Sequence, residues 1–219
     1  MLRILVIRHG ETFSNAENRF SGHQDVDLNE KGIWQAEQLA NRLKDEQIDF
    51  AYSSDLKRAT CTAKIGLKYH NIEVKTEPLF REMSFGKWEG LNVNELDFDE
   101  DERLMEWWKY PDLSMPGGES TSELKERVLT GLNRIIKEHN EKDKEKTVVI
   151  VCHGGVARII LAIALDIPTG KVWHIRQFST ALNVIKFFTK NGYYVETVND
   201  INHLRVSKKK EKVIEKQED

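Results

Sequence analysis

The chain has 219 residues, with 33 Lys and Arg against 36 Asp and Glu, a formal net charge of −3, and 39% hydrophobic and 32% charged residues. That length suits one domain, the balance is too apolar for a disordered chain, and the near-neutral charge leaves no footprint for a nucleic-acid partner. The two cysteines, Cys61 and Cys152, form no CxxC pair and no apolar run approaches the roughly 18 residues of a membrane span, which excludes a disulfide scaffold and a cysteine-built zinc site and suits a protein of the reducing cytoplasm.

Residues 2–7 are apolar apart from Arg3, the pattern of a strand buried on both faces of a parallel sheet. The stretch runs straight into Arg8 and His9, too short an apolar segment for a secretory signal. Over 29–46 the positions Ile33, Ala36, Leu39, Ala40 and Leu43 fall at helical spacing, with Asn29 as the cap. Residues 50–53 predict a strand, 55–69 a helix with Leu56, Ala59, Ala63 and Leu67 inside, and 72–76 a third strand. This β, α, β, α, β order favours a parallel sheet with helices on its faces.

Residues 77–118 break the alternation with Trp88, an acidic run over 97–102, Trp107, Trp108, Pro111 and Pro116-Gly117-Gly118. They read as an inserted loop-and-helix region over one end of the sheet, its tryptophans mainly packing and its acids solvated. Ser120-Thr121-Ser122-Glu123 is a capping box opening a helix whose core face is Leu124, Val128, Leu132, Ile135 and Ile136. Residues 147–152 predict a second fully apolar strand, 155–165 a helix, and 184–188 with 193–198 a hairpin around Asn191-Gly192. Residues 1–205 thus read as one domain, with 77–118 as a lid, and 206–219 as a charged tail without fixed structure.

Two segments match: ILVIRHGET at the start and VVIVCHGGV around residue 153, each a buried strand ending in His-Gly. Ligands of open parallel sheets bind at the carboxyl ends of the strands, so neighbouring strands would set His9 and His153 across one pocket. Arg8 precedes His9, and Arg58 falls in the first turn of the helix after the second strand. Guanidiniums beside imidazoles describe a phosphoryl-dianion site, since arginine grips phosphate oxygens with a fixed fork. Their charge also opposes protonation of the imidazoles, and a neutral imidazole is the nucleophilic form. Glu82, just after the third strand among Leu79, Phe80, Met83 and Phe85, is the candidate acid for the leaving oxygen.

As an ordered set, Arg8-His9-Gly10-Glu11-Thr12 with Asn15, SSDLKRATCTA over 53–63, Glu82 in REMSFGKWEG, and His153-Gly154-Gly155 resemble the histidine phosphatase superfamily, the phosphoglycerate-mutase-like fold. The resemblance spans residues 2–200. It implies a three-layer α/β/α sandwich with a mainly parallel sheet, His9 as the phosphorylated nucleophile, Arg8, Arg58 and His153 as the phosphate pocket, and Glu82 as general acid and base. It further implies Asn15, Ser21, Gly22 and Gly154 on the substrate side, no metal and no cofactor, a small-molecule phosphate monoester as partner, and a homodimer as an allowed assembly. SFGKWEG and PGGES resemble the phosphatase branch, and FSGH, EKGIWQAEQL and VWHIRQ are similar to its α-ribazole phosphatases. Ser179 departs from the pattern, standing where many relatives carry asparagine.

Four alternatives stay open at this level. Cys152 and Arg158 have the Cys-(x5)-Arg spacing of thiolate phosphatases. A phosphoglycerate mutase, a phosphate-sensing module without turnover, and a metal hydrolase ligated by His9, His153 and Glu82 are the others.

Overall fold

The computed structural model describes residues 1–96, 102–140 and 144–205. Most of the acidic run and all of 206–219 lie outside the described residues; of that run only Glu102 falls within, and it is exposed.

Six strands form one sheet: β1 (Leu2–Arg8), β2 (Phe50–Ser53), β3 (Val74–Thr76), β4 (Lys146–Cys152), β5 (Leu182–Phe188) and β6 (Gly192–Asp200). Their order is β3-β2-β4-β1-β5-β6. β1 to β4 pair in parallel, while β5 and β6 add an antiparallel hairpin beside β1. The helices are α1 (Phe13–Ala16), α2 (Glu30–Leu43), α3 (Lys57–Gly66), α4 (Thr121–His139) and α5 (Gly154–Leu165).

Alternation along the strands builds the three layers. Leu5, Ile7, Val149 and Val151 pack with Leu39 and Leu43 of α2 and Ala59 and Ala63 of α3. On the other face Ile4, Val6, Val148, Ile150 and Cys152 pack with Leu124, Val128 and Leu132 of α4 and Val156 and Ile160 of α5. The insert joins this second layer through short 3-10 turns at Pro78–Phe80, Gly86–Trp88 and Glu102–Lys109. Phe80, Met83, Phe85, Trp88 and Trp107 belong to that core, whereas Trp108 is exposed. The predicted packing role therefore holds for the two buried tryptophans. Among the described residues no helix is long and apolar enough to cross a membrane.

Capping follows the sequence. Asn29 accepts from the Gly32 amide at 2.8 Å, and Ser120 and Glu123 complete their box at 3.1 and 2.7 Å. In α2 four of the five expected inward positions, Ala36, Leu39, Ala40 and Leu43, are buried, and the first, Ile33, is not. Ile33 is 42% exposed, and Gly32, Gln35, Ala36, Leu39, Ala40 and Leu43 face inward. Backbone contact replaces a side chain in that first turn: a Cβ on Gly32 would stand 2.1 Å from the Glu11 carbonyl oxygen, and one on Gly10 would stand 2.5 Å from the Gly32 carbonyl. The first turn of α2 thus lies directly on the segment carrying His9, a closeness only glycine allows.

Gly32→Ala should cost about 1–3 kcal/mol of stability, as forced overpacking does. Urea unfolding should show the midpoint fall while Ile33→Ala, on the exposed neighbour, leaves it nearly unchanged.

Candidate active site

The register Arg8↔Cys152 between β1 and β4 makes His9 and His153 the residues next after adjacent strand ends. Their rings meet edge-on with centroids 5.1 Å apart and planes 62° from parallel. Both are buried, at 3% and 0% exposure. His153 is also the N-cap of α5, and Arg58 projects from the first turn of α3 into the same space.

Hydrogen bonds fix both tautomers. His9 Nδ1 lies 2.6 Å from the carbonyl of Gly10, which can only accept, so Nδ1 carries the proton and Nε2 presents a lone pair. His153 has the opposite arrangement. Arg58 Nε donates to its Nδ1 at 3.2 Å, leaving the proton on Nε2, which reaches Ser54 Oγ at 2.8 Å. Burial, then the charges of Arg58 and Arg8, hold His9 well below its ordinary value; burial, then Arg58, does the same for His153. Both imidazoles are neutral at pH 7.

Three arginines gather here, each anchored to main-chain carbonyls. Arg8 Nη1 donates to Gln177 O at 2.7 Å. Arg58 donates to Gln24 O at 2.6 Å and Gly22 O at 2.7 Å. Arg158 Nε donates to Ile175 O at 2.7 Å. Burial pushes Arg58 and Arg158 down to about 10 and lowers Arg8, opposed in each case by the charge of Glu82. All three stay protonated. Since carbonyls neutralise none of this charge, it is available to an anion.

Glu82 is pinned from two sides. Met83 N donates to its Oε1 at 2.9 Å, and Gly155 N reaches both carboxylate oxygens at 3.1 Å. A Cβ on Gly155 would stand 2.4 Å from Oε1, so glycine is required for the approach. The site of a Cβ on Gly154 is 2.8 Å from Arg158 Nη1, 3.6 Å from Arg8 Nε and 3.7 Å from Glu82 Oε2, which places the acid and two guanidiniums around one point.

The outer residues distribute unevenly. Arg8 Nε and Ser21 Oγ are buried without a hydrogen-bond partner, and such atoms are the natural contacts of a bound polar ligand. Gly22 contributes its carbonyl to Arg58. Asn15 closes a capping box with Thr12, its Oδ1 accepting from Thr12 N at 3.2 Å, so its side chain serves the loop after His9. Ser179 precedes Thr180, whose amide donates to the carbonyl of His9 at 3.2 Å.

Several functional neighbours carried no sequence signal. Ser54 and the carbonyls of Gln177 and Ile175 act through partners distant in the chain, and Arg127 reads as an ordinary helix-surface residue. Arg158 was visible only through its spacing from Cys152.

Geometry overturns that thiolate pairing. Cys152 is fully buried in the core below the sheet end, and burial pushes its thiol up. The residues after His153 form α5, so no loop of amides surrounds the sulfur. The metal-ligand reading fares no better: both ring nitrogens of His153 are engaged, and among the described residues no three His, Cys, Asp or Glu side chains converge as a metal site.

A buried nucleophile-ready imidazole among arginines and a carboxyl, at the parallel end of an α/β/α sheet, defines a phosphate-transfer site. The chain belongs to the histidine phosphatase superfamily (branch 1), whose family model matches residues 4–201. It is 38% identical to phosphoglycerate mutase-like protein 4 of Arabidopsis thaliana, over 92% of this chain and 86% of that one. It is 36% identical to the metal-independent phosphoserine phosphatase of the same plant, over 92% and 82%. The crystal structure of α-ribazole phosphatase from Shigella flexneri superposes with a TM-score of 0.81 at 28% identity, covering 94% of this chain and 99% of that one. The protein is a phosphatase of this superfamily.

Nitrogen-15 NMR of labelled protein at pH 6 should show two neutral imidazoles of opposite tautomer, Nδ1–H for His9 and Nε2–H for His153. Because the shift is downward, the His9 ring stays unprotonated on the acid side of the ordinary value of 6.5. The acid limb of kcat/KM should accordingly lie below that pH whenever it reports His9; imidazolium signals at pH 6 would refute the assignment.

Proposed function

We propose that the chain is a metal-independent phosphomonoesterase that turns over through a phosphohistidine on His9. The observation that carries this reading is the Nδ1–H bond to Gly10, which leaves Nε2 as a lone pair within the field of Arg58 and Arg8. Nε2 attacks phosphorus while the ester P–O bond breaks, and the leaving oxygen takes its proton from the Glu82 carboxyl. The guanidiniums hold the phosphoryl oxygens as their charge spreads in the transition state. His153 stays neutral and orients Arg58 through its Nδ1.

The attacking ring becomes an N-phosphoryl imidazolium, its Nδ1–H still donating to Gly10, which favours later departure of the ring from phosphorus. Glu82, now a carboxylate, takes a proton from water as its oxygen attacks phosphorus; phosphate leaves and His9 is restored.

The substrate is a small phosphate monoester. Motif similarity and the solved α-ribazole phosphatase favour α-ribazole 5′-phosphate, while the plant phosphoserine phosphatase favours O-phosphoserine. A second reading, phosphoryl exchange between glycerate hydroxyls, draws on the mutase-like relative.

Phosphate release from p-nitrophenyl phosphate in EDTA tests the mechanism. His9→Ala should lose at least about 1,000-fold, the scale of removing a covalent nucleophile, and Cys152→Ala should stay within a few-fold of wild type. An active His9→Ala protein would defeat the proposal. The ranking of kcat/KM over α-ribazole 5′-phosphate, O-phosphoserine and 3-phosphoglycerate then names the substrate, and isomerisation of 3-phosphoglycerate without phosphate release would establish the mutase.

A further inference from the structure

Arg127, in the middle of α4, spends three N–H groups of its guanidinium on the segment that carries Glu82 and the other two on Glu119. Nη1 donates to Leu79 O at 2.9 Å and Arg81 O at 2.7 Å. Nη2 donates to Glu82 O at 2.7 Å and Glu119 Oε2 at 2.8 Å, and Nε donates to Glu119 Oε1 at 2.7 Å. Glu119 completes the loop, because its Oε2 also accepts from Ser84 N at 2.8 Å. His23 adds a ring N–H to the same Glu82 carbonyl at 2.9 Å.

This arrangement fixes residues 79–84 by three carbonyls and one amide, all bound to a single ion pair. The Glu119–Arg127 pair is only about one-fifth exposed, and its contacts with the main chain are short and charge-assisted. The residue so fixed is the one whose carboxyl must meet a leaving oxygen, while the same carboxyl is bound at its far side by Gly155 N of α5. No regular secondary structure holds residues 81–85 in place. Their conformation depends on side-chain anchors, and proton transfer to an alkoxide tolerates little misplacement.

We infer that Arg127 and Glu119 are positioning residues for the general acid: the pair sets where the Glu82 carboxyl stands relative to the phosphoryl group. The inference rests on the reading of Glu82 as the acid. It concerns only the step in which the His9 Nε2–P bond forms, the ester P–O bond breaks and the Glu82 proton moves to the departing oxygen.

Leaving-group dependence separates positioning from mere support of the fold. p-Nitrophenolate departs without a proton, whereas the alkoxide of an alkyl phosphate needs one. The kcat/KM value reports the first transfer to His9 for both esters. Arg127→Lys keeps the charge but cannot serve five oxygen acceptors in a plane. It should lose about 30-fold or more on an alkyl phosphate such as O-phosphoserine or α-ribazole 5′-phosphate, within the range of a general acid's contribution, and several-fold less on p-nitrophenyl phosphate.

Glu119→Gln should shift the ratio of the two rates in the same direction by a smaller factor, and it serves alone if Arg127→Lys does not fold. Glu82→Gln gives the reference signature for a lost acid. Equal losses on both esters in Arg127→Lys and Glu119→Gln, with the differential present in Glu82→Gln, would overturn the positioning role while leaving the acid in place. Absence of the differential in Glu82→Gln would remove the acid itself and the positioning role with it.

Discussion

The main-chain amide of His9 donates to the carbonyl of Cys152 at 2.9 Å, one step beyond the last rung of the β1–β4 ladder. On the other side of β1, Arg8 N donates to Ala181 O at 3.3 Å and Thr180 N to His9 O at 3.2 Å. The backbone of His9 is therefore tied into both neighbours at the point where the sheet ends. A register slip of one residue would turn every side chain of β1 to the opposite face and carry His9 away from His153. The catalytic geometry is in this sense a property of strand pairing, and the glycine contact between residues 10 and 32 closes the remaining direction in which the loop could move.

Arginines divide into two kinds across the molecule. Arg81 pairs with Asp55, Arg127 with Glu119 and Arg134 with Glu77; these neutralised pairs hold loops and helices together. Arg8, Arg58 and Arg158 instead hang from carbonyls. A carbonyl dipole orients a guanidinium without cancelling its charge, so desolvation is only partly offset by the protein. An incoming dianion completes the compensation, while burial, with the charges of Arg58 and Arg8 added, keeps the two imidazoles from protonating.

Much of this was legible in the sequence because it is written in local patterns. The apolar strands, the caps at Asn29 and Ser120 and the repeated His-Gly strand ends are short-range signals, and each marks an element or a site residue directly. The position of Ile33 was misread because the facing partner of α2 is backbone, which leaves no hydrophobic period to detect. Arg127 and Ser54 were missed for a related reason: their partners are carbonyls or ring nitrogens tens of residues away, and a carbonyl has no residue identity to recognise. Cys152 and Arg158 show the converse, a spacing that fits another chemistry until the helix between them is seen.

The fully enclosed, protonated thiol of Cys152 has a further meaning for the conditions under which this enzyme works. Phosphatases that attack through a thiolate carry an oxidisable atom at the centre of their reaction, and peroxide silences them by converting it to a sulfenic acid. Here Cys152 is sealed in the core and held as the thiol, and the atom proposed to react is a ring nitrogen of His9. Cys61, half-buried on α3, is also pushed upward by burial. A thiol oxidant therefore meets neither cysteine as a ready thiolate, and turnover as proposed through His9 has no sulfur atom to lose.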